Sequence, residues 1–154
     1  MRWNELEEQR CGVARAISVL GDRWTLLILR DCLLGIRRFE EFQSRLGIAR
    51  RVLTERLALL VDKGVLRKVP YQDRPLREEY RLTDAGRDLL PVIMALAGWA
   101  DRHMPHPQGT AVGYRHLGCG HMVRPEMVCP ECNEILTTRN TGGEFLPPRE
   151  GVSE

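Results

Sequence analysis

The chain has 154 residues, of which 43% are hydrophobic and 29% charged, a composition typical of a globular protein that buries a core. Its longest apolar run, residues 24–29, is far shorter than the roughly 18 residues that span a bilayer. The opening stretch, MRWNELEEQR, is too polar for a secretory signal. We therefore expect a cytoplasmic protein with no membrane partner. The net charge of +2 by itself predicts nothing about nucleic acid.

Two helices are predicted at the start of the chain. Residues 11–20 carry apolar side chains at helical spacing. Asp22 can cap the next helix, residues 23–34, because its carboxylate can accept a hydrogen bond from a free N–H group of the first turn. Gly35 ends this second helix. Apolar side chains nearly encircle it, which predicts a position at the centre of the core.

A short third helix, residues 39–46, ends at Gly47, and a fourth, residues 51–63, ends at Gly64. The fourth helix is two-faced. Its inner face is predicted to carry Leu53, Leu57, Leu60 and Val61. Its outer face is predicted to carry Arg50, Arg51, Thr54 and Glu55.

The apolar period then changes from helical to strand-like. Residues 65–70 and 79–82 are predicted to pair as a hairpin whose charged, proline-containing tip spans 71–77. Thr83 opens a last helical region, which Pro91 is expected to kink or restart. Its apolar stripe consists of Leu90, Ile93, Met94, Ala97 and Ala100. This order of elements predicts a mainly α protein with a small antiparallel β-hairpin, a winged helix-turn-helix.

Four segments are predicted along the chain. Residues 1–104 form the winged-helix domain, and residues 105–113, rich in proline and glycine, form a linker. Residues 114–138 form a small unit rich in cysteine and histidine. Residues 139–154 contain few apolar side chains, so we expect a disordered tail.

The outer face of the fourth helix is the predicted DNA-reading surface. A helix fits the major groove, where each base pair presents a distinct pattern of donors and acceptors. We predict that Arg50 and Arg51 bond guanine or phosphate, and that Thr54 contacts a phosphate or a base edge. Glu55 either accepts from cytosine or orients Arg51 one turn away.

Two further basic sites accompany this helix. Arg37 and Arg38, just before the third helix, are predicted phosphate contacts. Arg74 and Arg77, at the hairpin tip, are predicted to meet a minor groove or the backbone. Exposed arginines are more often only a solvated surface, but three basic sites converging on one side of the expected fold favour DNA.

A series of landmarks occurs in order over residues 11–103: Cys11-x-Val13-Ala14, Gly21-Asp22-Arg23-Trp24, Leu34-Gly35-x-Arg37-Arg38-Phe39, Leu53-x-x-Arg56-Leu57, Tyr80-x-Leu82-Thr83 and Gly86. With these landmarks the chain resembles the HxlR family of bacterial regulators, which is related to the MarR type. The resemblance implies a DNA-binding transcriptional regulator. It also implies a homodimer, with the terminal helices at the interface and two recognition helices on a dyad-symmetric operator. One departure is that Ala49 and Arg50 stand where many relatives cap the recognition helix with Ser or Thr.

Cys11 matches the position at which several members of this family sense oxidants or electrophiles. A thiol near a helix N-terminus and beside Arg10 and Arg15 is expected to have a lowered pKa. The alternative, which the residues alone favour, is a half-buried side chain kept for packing. Cys32, in the second helix, is interpreted as structural.

The tail contains two turns with metal-ligand spacing. His116 and Cys119 form one pair, and Cys129 and Cys132 form the other. Four such ligands suit a structural Zn²⁺ ion in a zinc-ribbon-like unit, and His121 is an alternative to His116. Free thiols or a redox pair are the competing interpretations.

Two other classes of function remain to be weighed. An enzyme is not indicated, because we find no nucleophile paired with a base, no carboxylate pair in an apolar setting and no phosphate-binding glycine loop. A protein-interaction module that uses the metal-binding tail is the second alternative. A small-molecule or redox effector is compatible with the regulator hypothesis.

Overall fold

The computed structural model describes residues 3–148, so the last part of the predicted disordered tail lies outside the described residues. The chain divides into two compact units at Gly109 and Thr110. The helices of the first unit are α1 (Trp3–Glu7), α2 (Gly12–Leu20), α3 (Arg23–Leu33), α4 (Phe39–Leu46), α5 (Arg50–Asp62), α6 (Asp84–Arg87) and α7 (Leu90–His103). Its strands are β1 (Leu66–Asp73) and β2 (Leu76–Leu82), and the second unit contains β3 (Tyr114–Arg115) and β4 (Met122–Val123).

Helix α3 lies at the centre of the first unit, as its apolar circumference predicts. Its cap is the expected one: Asp22 Oδ1 accepts hydrogen bonds from the N–H groups of Trp24 at 2.9 Å and Thr25 at 3.3 Å. Burying the apolar side chains beneath it supplies the main stabilisation of this unit. The buried apolar residues are Ile28, Leu29, Cys32, Phe42, Ile48, Leu53, Leu57, Leu60, Val65, Leu66 and Ile93.

Helices α4 and α5 form the helix-turn-helix. Gly47 ends α4 in the left-handed conformation with φ of 59°, which glycine adopts without the steric cost of a Cβ atom. Only two residues then separate it from the first residue of α5. This tight connection fixes the orientation of α5 relative to α4.

The hairpin is longer than the sequence predicts. Strands β1 and β2 pair antiparallel from Leu66 opposite Leu82 to Asp73 opposite Leu76, with a register shift between Pro70 and Gln72. The predicted seven-residue tip is therefore wrong, because most of it extends the two strands. Arg74 and Pro75 alone connect them.

The last helical region is broken in two, as Pro91 suggests. Thr83 caps α6 by accepting a hydrogen bond from the Gly86 N–H group at 3.1 Å. Pro91 lies in the first turn of α7, where its missing N–H group costs no hydrogen bond. An added Cβ on Gly86 would lie 2.3 Å from the Val65 carbonyl oxygen, so α6 packs tightly against the chain that leaves α5.

The second unit is built from two small antiparallel pairings. Strand β3 pairs with β4, and Val128 forms an isolated bridge with Ile135. Across the described part of this unit, residues 110–148, no residue is buried. Over residues 3–148, no helix is long and apolar enough to cross a membrane.

Candidate nucleic-acid interface

Helix α5 separates its side chains into a buried and an exposed face. Leu53, Leu57 and Leu60 are fully buried against the core. All four predicted base-reading side chains of α5 are exposed: Arg50, Arg51, Thr54 and Glu55. The leucines therefore hold a polar ridge outward.

The Arg51 side chain is almost fully exposed, with 91% of its surface accessible. Its Nε atom donates a hydrogen bond to Glu55 Oε1 at 2.9 Å, one helical turn away. The structure thus contains the pairing that the sequence offers as one of two roles for Glu55. An exposed ion pair of this kind contributes only about 0–1 kcal/mol, so DNA can displace Glu55 from Arg51 at little cost.

Arg50 is held differently. Its guanidinium lies over the ring of Phe39, with the Arg50 Cζ atom 4.7 Å from the ring centroid. The Thr54 hydroxyl donates to the Arg50 carbonyl oxygen at 2.9 Å. The stacked guanidinium joins the start of α5 to the start of α4. This position favours a contact of Arg50 with the DNA phosphates over a contact with a base.

The segment before α4 is tied to the hairpin. The Tyr80 N–H group donates to the Arg37 carbonyl oxygen at 2.8 Å, and Arg37 Nη1 lies 3.9 Å from the buried Glu79 carboxylate. The Arg38 guanidinium stacks over the Tyr71 ring at 4.6 Å. Both predicted phosphate contacts are therefore positioned by β-strand residues that are distant in sequence.

An open groove of about 580 Å³ lies between the start of α4 and the hairpin. Arg38 and Arg77 both line it, so two of the predicted basic sites do converge. Tyr71 and Phe39 line it as well. Three glutamates offset the positive charge there: Glu40, Glu41 and Glu78.

The two arginines of the hairpin occupy different positions. Arg74 lies in the two-residue connection at the tip, whereas Arg77 belongs to β2. Both side chains are exposed. Arg74 therefore lies at the turn of the hairpin, and Arg77 lies within a strand.

Sequence reasoning missed the aromatic partners of this surface. Phe39 and Tyr71 each support an arginine, and nothing in local spacing pairs Phe39 with Arg50 or Tyr71 with Arg38. The one available signal is that Tyr71 is an aromatic residue in an otherwise charged hairpin tip.

A buried carboxylate behind the surface was also missed. Asp31 of α3 is fully buried and accepts from Arg30 Nη2 at 2.8 Å and from Arg45 Nε, at the end of α4, at 3.4 Å. Breaking such a pair is costly, because a buried charge is left uncompensated. Arg56 of α5 likewise lies 3.3 Å from the Asp22 carboxylate. These ion pairs fix α4 and α5 onto α3.

The two cysteines of the first unit differ in environment. Cys11 is exposed rather than half-buried, so packing within the chain does not explain it. The backbone N–H groups of Ala14 and Val13 lower the pKa of the Cys11 thiol, and Arg15 adds a smaller effect. Burial, followed by the neighbouring Asp31 carboxylate, raises the pKa of the Cys32 thiol to about 12.

The tail residues with metal-ligand spacing come together as two separate pairs. His116 Nδ1 lies 3.2 Å from Cys119 Sγ. The N–H groups of Cys132 and Glu131 and the Cys132 thiol all face Cys129 Sγ and lower the pKa of its thiol. Within residues 3–148, no three His, Cys, Asp or Glu side chains form a group that could hold a metal ion.

These features define a winged helix-turn-helix DNA-binding protein, because α4 and α5 form a helix-turn-helix whose second helix has a polar outer face, and a basic hairpin follows it. The chain belongs to the HxlR-like helix-turn-helix family, whose model matches residues 19–108. It is a transcriptional regulator and not an enzyme. The sequence-based prediction of an HxlR-type winged helix-turn-helix transcriptional regulator is confirmed, whereas the zinc-ribbon-like tail and the homodimer stay predictions.

Relatives extend the match beyond the winged helix. The HTH-type transcriptional regulator Rv3095 of Mycobacterium tuberculosis is 46% identical over 135 residues, which cover 88% of this chain and 85% of the relative. The crystal structure of PA1607, a candidate transcription factor, matches with a TM-score of 0.80 and 35% identity over 91% of this chain and 98% of its own. Both matches are longer than the first unit, so they include part of the second.

A third similar structure covers a smaller share of this chain. It is the redox regulator HypR in its reduced form, with a TM-score of 0.56 and 29% identity over 60% of this chain and 95% of its own.

Proposed function

We propose that this regulator binds double-stranded DNA as a homodimer, with one α5 helix of each subunit in the major groove of a dyad-symmetric operator. The outward polar ridge of α5 is the observation that carries the proposal. Its side chains are exposed, while the leucines beneath it are buried, so the ridge can enter a groove without disturbing the core.

The exposed arginines of α5, of the segment before α4 and of the hairpin suit different contacts with DNA. Arg51 is exposed and paired only weakly, which suits a bidentate contact with guanine. Arg38 and Arg50 are stacked on aromatic rings, which suits phosphate contacts that fix the register of the protein on the duplex. Arg74 at the hairpin tip suits the minor groove or the neighbouring backbone.

An exposed apolar stripe on α7 supports the homodimer. Ile93 points into the core, but Val92, Leu96 and Trp99 recur at helical spacing on the outside of the same helix, and Trp99 remains 52% exposed. Helix α2 adds exposed Val13 and Ile17. Exposed apolar residues at helical spacing on α7 favour an interface, because leaving them in water is unfavourable.

The test combines subunit mass with DNA binding. Replacing an apolar residue of the stripe by a charge, Leu96→Glu, is expected to give a monomer in light scattering and to weaken operator binding. Leu76→Glu, the same change at a leucine of the hairpin that is more exposed than Leu96 (65% against 48%), serves as the control for subunit mass. A Leu96→Glu protein that remains dimeric would contradict the proposed interface.

A thiol response through Cys11 is the second candidate, favoured by the exposed Cys11 side chain and its lowered pKa. A lowered pKa leaves more thiolate at a given pH, so Cys11 is expected to be alkylated at lower pH than in the unfolded chain. The measurement is the alkylation rate of Cys11 against pH, followed by mass spectrometry. Cys11→Ser should abolish any effect of oxidant on operator binding, and an effect that persists in this variant would remove Cys11 as the sensor.

A further inference from the structure

The first of two turns in the second unit runs from His116 to His121. The Gly120 N–H group donates to the His116 carbonyl oxygen at 2.8 Å, and the His116 N–H group donates to the His121 carbonyl oxygen at 2.9 Å. Gly120 is in the left-handed conformation with φ of 76°. This backbone path brings the His116 ring beside the Cys119 thiol.

The second turn, thirteen positions later in the chain, runs from Cys129 to Glu134. The Asn133 N–H group donates to the Cys129 carbonyl oxygen at 2.8 Å, and the Cys129 N–H group donates to the Glu134 carbonyl oxygen at 2.9 Å. Asn133 has φ of 58° and is the described non-glycine residue with positive φ. The Cys132 N–H group faces the Cys129 sulfur atom.

The two turns therefore share one backbone design, although their sequences differ. The same hydrogen bonds and the same left-handed position make His116 equivalent to Cys129, and Cys119 equivalent to Cys132. By the same equivalence His121 corresponds to Glu134, which lies after the second pair. Each turn also closes a short antiparallel pairing, β3 with β4 in the first case and Val128 with Ile135 in the second.

We propose that His116, Cys119, Cys129 and Cys132 bind one structural zinc ion, and that His121 lies outside the coordination sphere. Three thiolates and one imidazole are a ligand set that Zn²⁺ accepts in tetrahedral geometry. With four protein ligands, no position is left for water or substrate, so the ion stabilises the fold and catalyses nothing.

The need for a cross-link comes from the absence of a core. No residue between 110 and 148 is buried, so apolar burial cannot hold these two turns together. The two ligand pairs are each formed but are not gathered into one group. Closing both pairs on one ion supplies the missing stabilisation, because metal binding contributes directly to the folding free energy of small units of this kind. The proposal does not depend on how the first unit contacts DNA.

The test uses the full chain, reduced, freed of metal by a chelator and then titrated with Zn²⁺ or Co²⁺. We expect one Zn²⁺ per chain by elemental analysis, and a Co²⁺ absorption spectrum with the thiolate charge-transfer and visible bands of a tetrahedral site. His116→Ala and Cys132→Ser should lose stoichiometric binding and this spectrum. His121→Ala, the matched histidine control, should retain both.

Three results would overturn the proposal. If the reduced wild-type chain binds no Zn²⁺ even when the ion is in excess, the two turns form no zinc site. If mass spectrometry finds Cys129 and Cys132 joined as a disulfide in freshly purified protein, the second turn is a redox pair instead. If His121→Ala loses the metal and His116→Ala keeps it, the equivalence of the two turns does not determine the ligands. DNA binding by the zinc-loaded wild-type chain is a separate readout, and its absence would count against the DNA-binding proposal and not against the zinc site.

Discussion

The two units of this chain are stabilised in different ways. The first buries a continuous set of apolar side chains around α3, among them Ile28, Leu53 and Leu57. The second, over residues 110–148, buries none, and large apolar side chains such as Leu117 and Met127 are exposed. The comparison shows that periodic apolar patterning accompanies a buried core in the first unit. In the second unit we propose that turn geometry and a zinc cross-link take the place of such a core.

The largest effect should come from a cavity in the first unit. Leu57 is fully buried, so Leu57→Ala is expected to lower the free energy of unfolding of this unit by about 2–5 kcal/mol. Ile135→Ala in the second unit removes a similar side chain that is 48% exposed, and the expected change is within about 0.5 kcal/mol. Urea unfolding followed by circular dichroism measures both. Equal losses in the two variants would mean that the second unit has an apolar core after all.

A smaller effect is expected at the close contact between α6 and the chain that leaves α5. The Cβ atom of Gly86→Ala would lie 2.3 Å from the Val65 carbonyl oxygen and 2.9 Å from Leu82 Cδ2, so the backbone must shift. We expect a loss of about 1–3 kcal/mol. Gly12→Ala is the matched control, because its nearest neighbour, an Arg15 side-chain nitrogen, is 4.0 Å away and alanine favours the helix. Thermal unfolding of the two variants checks this, and an unchanged melting temperature for Gly86→Ala would show that the contact is loose.

Much of the first unit could be predicted from its sequence because its signals are local. The cap at Asp22, the glycine that ends α4 and the proline that begins α7 each act within one helical turn. The length of the hairpin could not be predicted in the same way, since polar and charged residues such as Gln72, Asp73 and Glu78 extend the two strands by pairing with residues of the opposite strand.

The predicted DNA-contacting residues show the same contrast between local features, which the sequence predicts, and contacts between separate elements, which it does not. The spacing of leucines in α5 indicates which side chains face outward, and the structure exposes those residues. The aromatic supports of Arg38 and Arg50, and the buried Asp31 that joins α3 to α4, depend on contacts between separate elements. Sequence periodicity carries no information about such contacts.

Binding of Arg51→Ala to DNA is the most direct test of the central claim that α5 reads the operator. The operator is first selected from random duplexes with the wild-type protein, and affinity is then measured by fluorescence anisotropy on that operator and on a scrambled duplex. Arg87→Ala is the matched control, because Arg87 is an exposed arginine of α6, next to the end of the hairpin opposite the Arg74 tip. We predict that Arg51→Ala weakens the binding free energy by about 1–3 kcal/mol on the operator and changes it little on the scrambled duplex. Arg87→Ala should leave the affinity for both duplexes unchanged. Unchanged operator affinity in Arg51→Ala would contradict the assignment of α5 as the recognition helix.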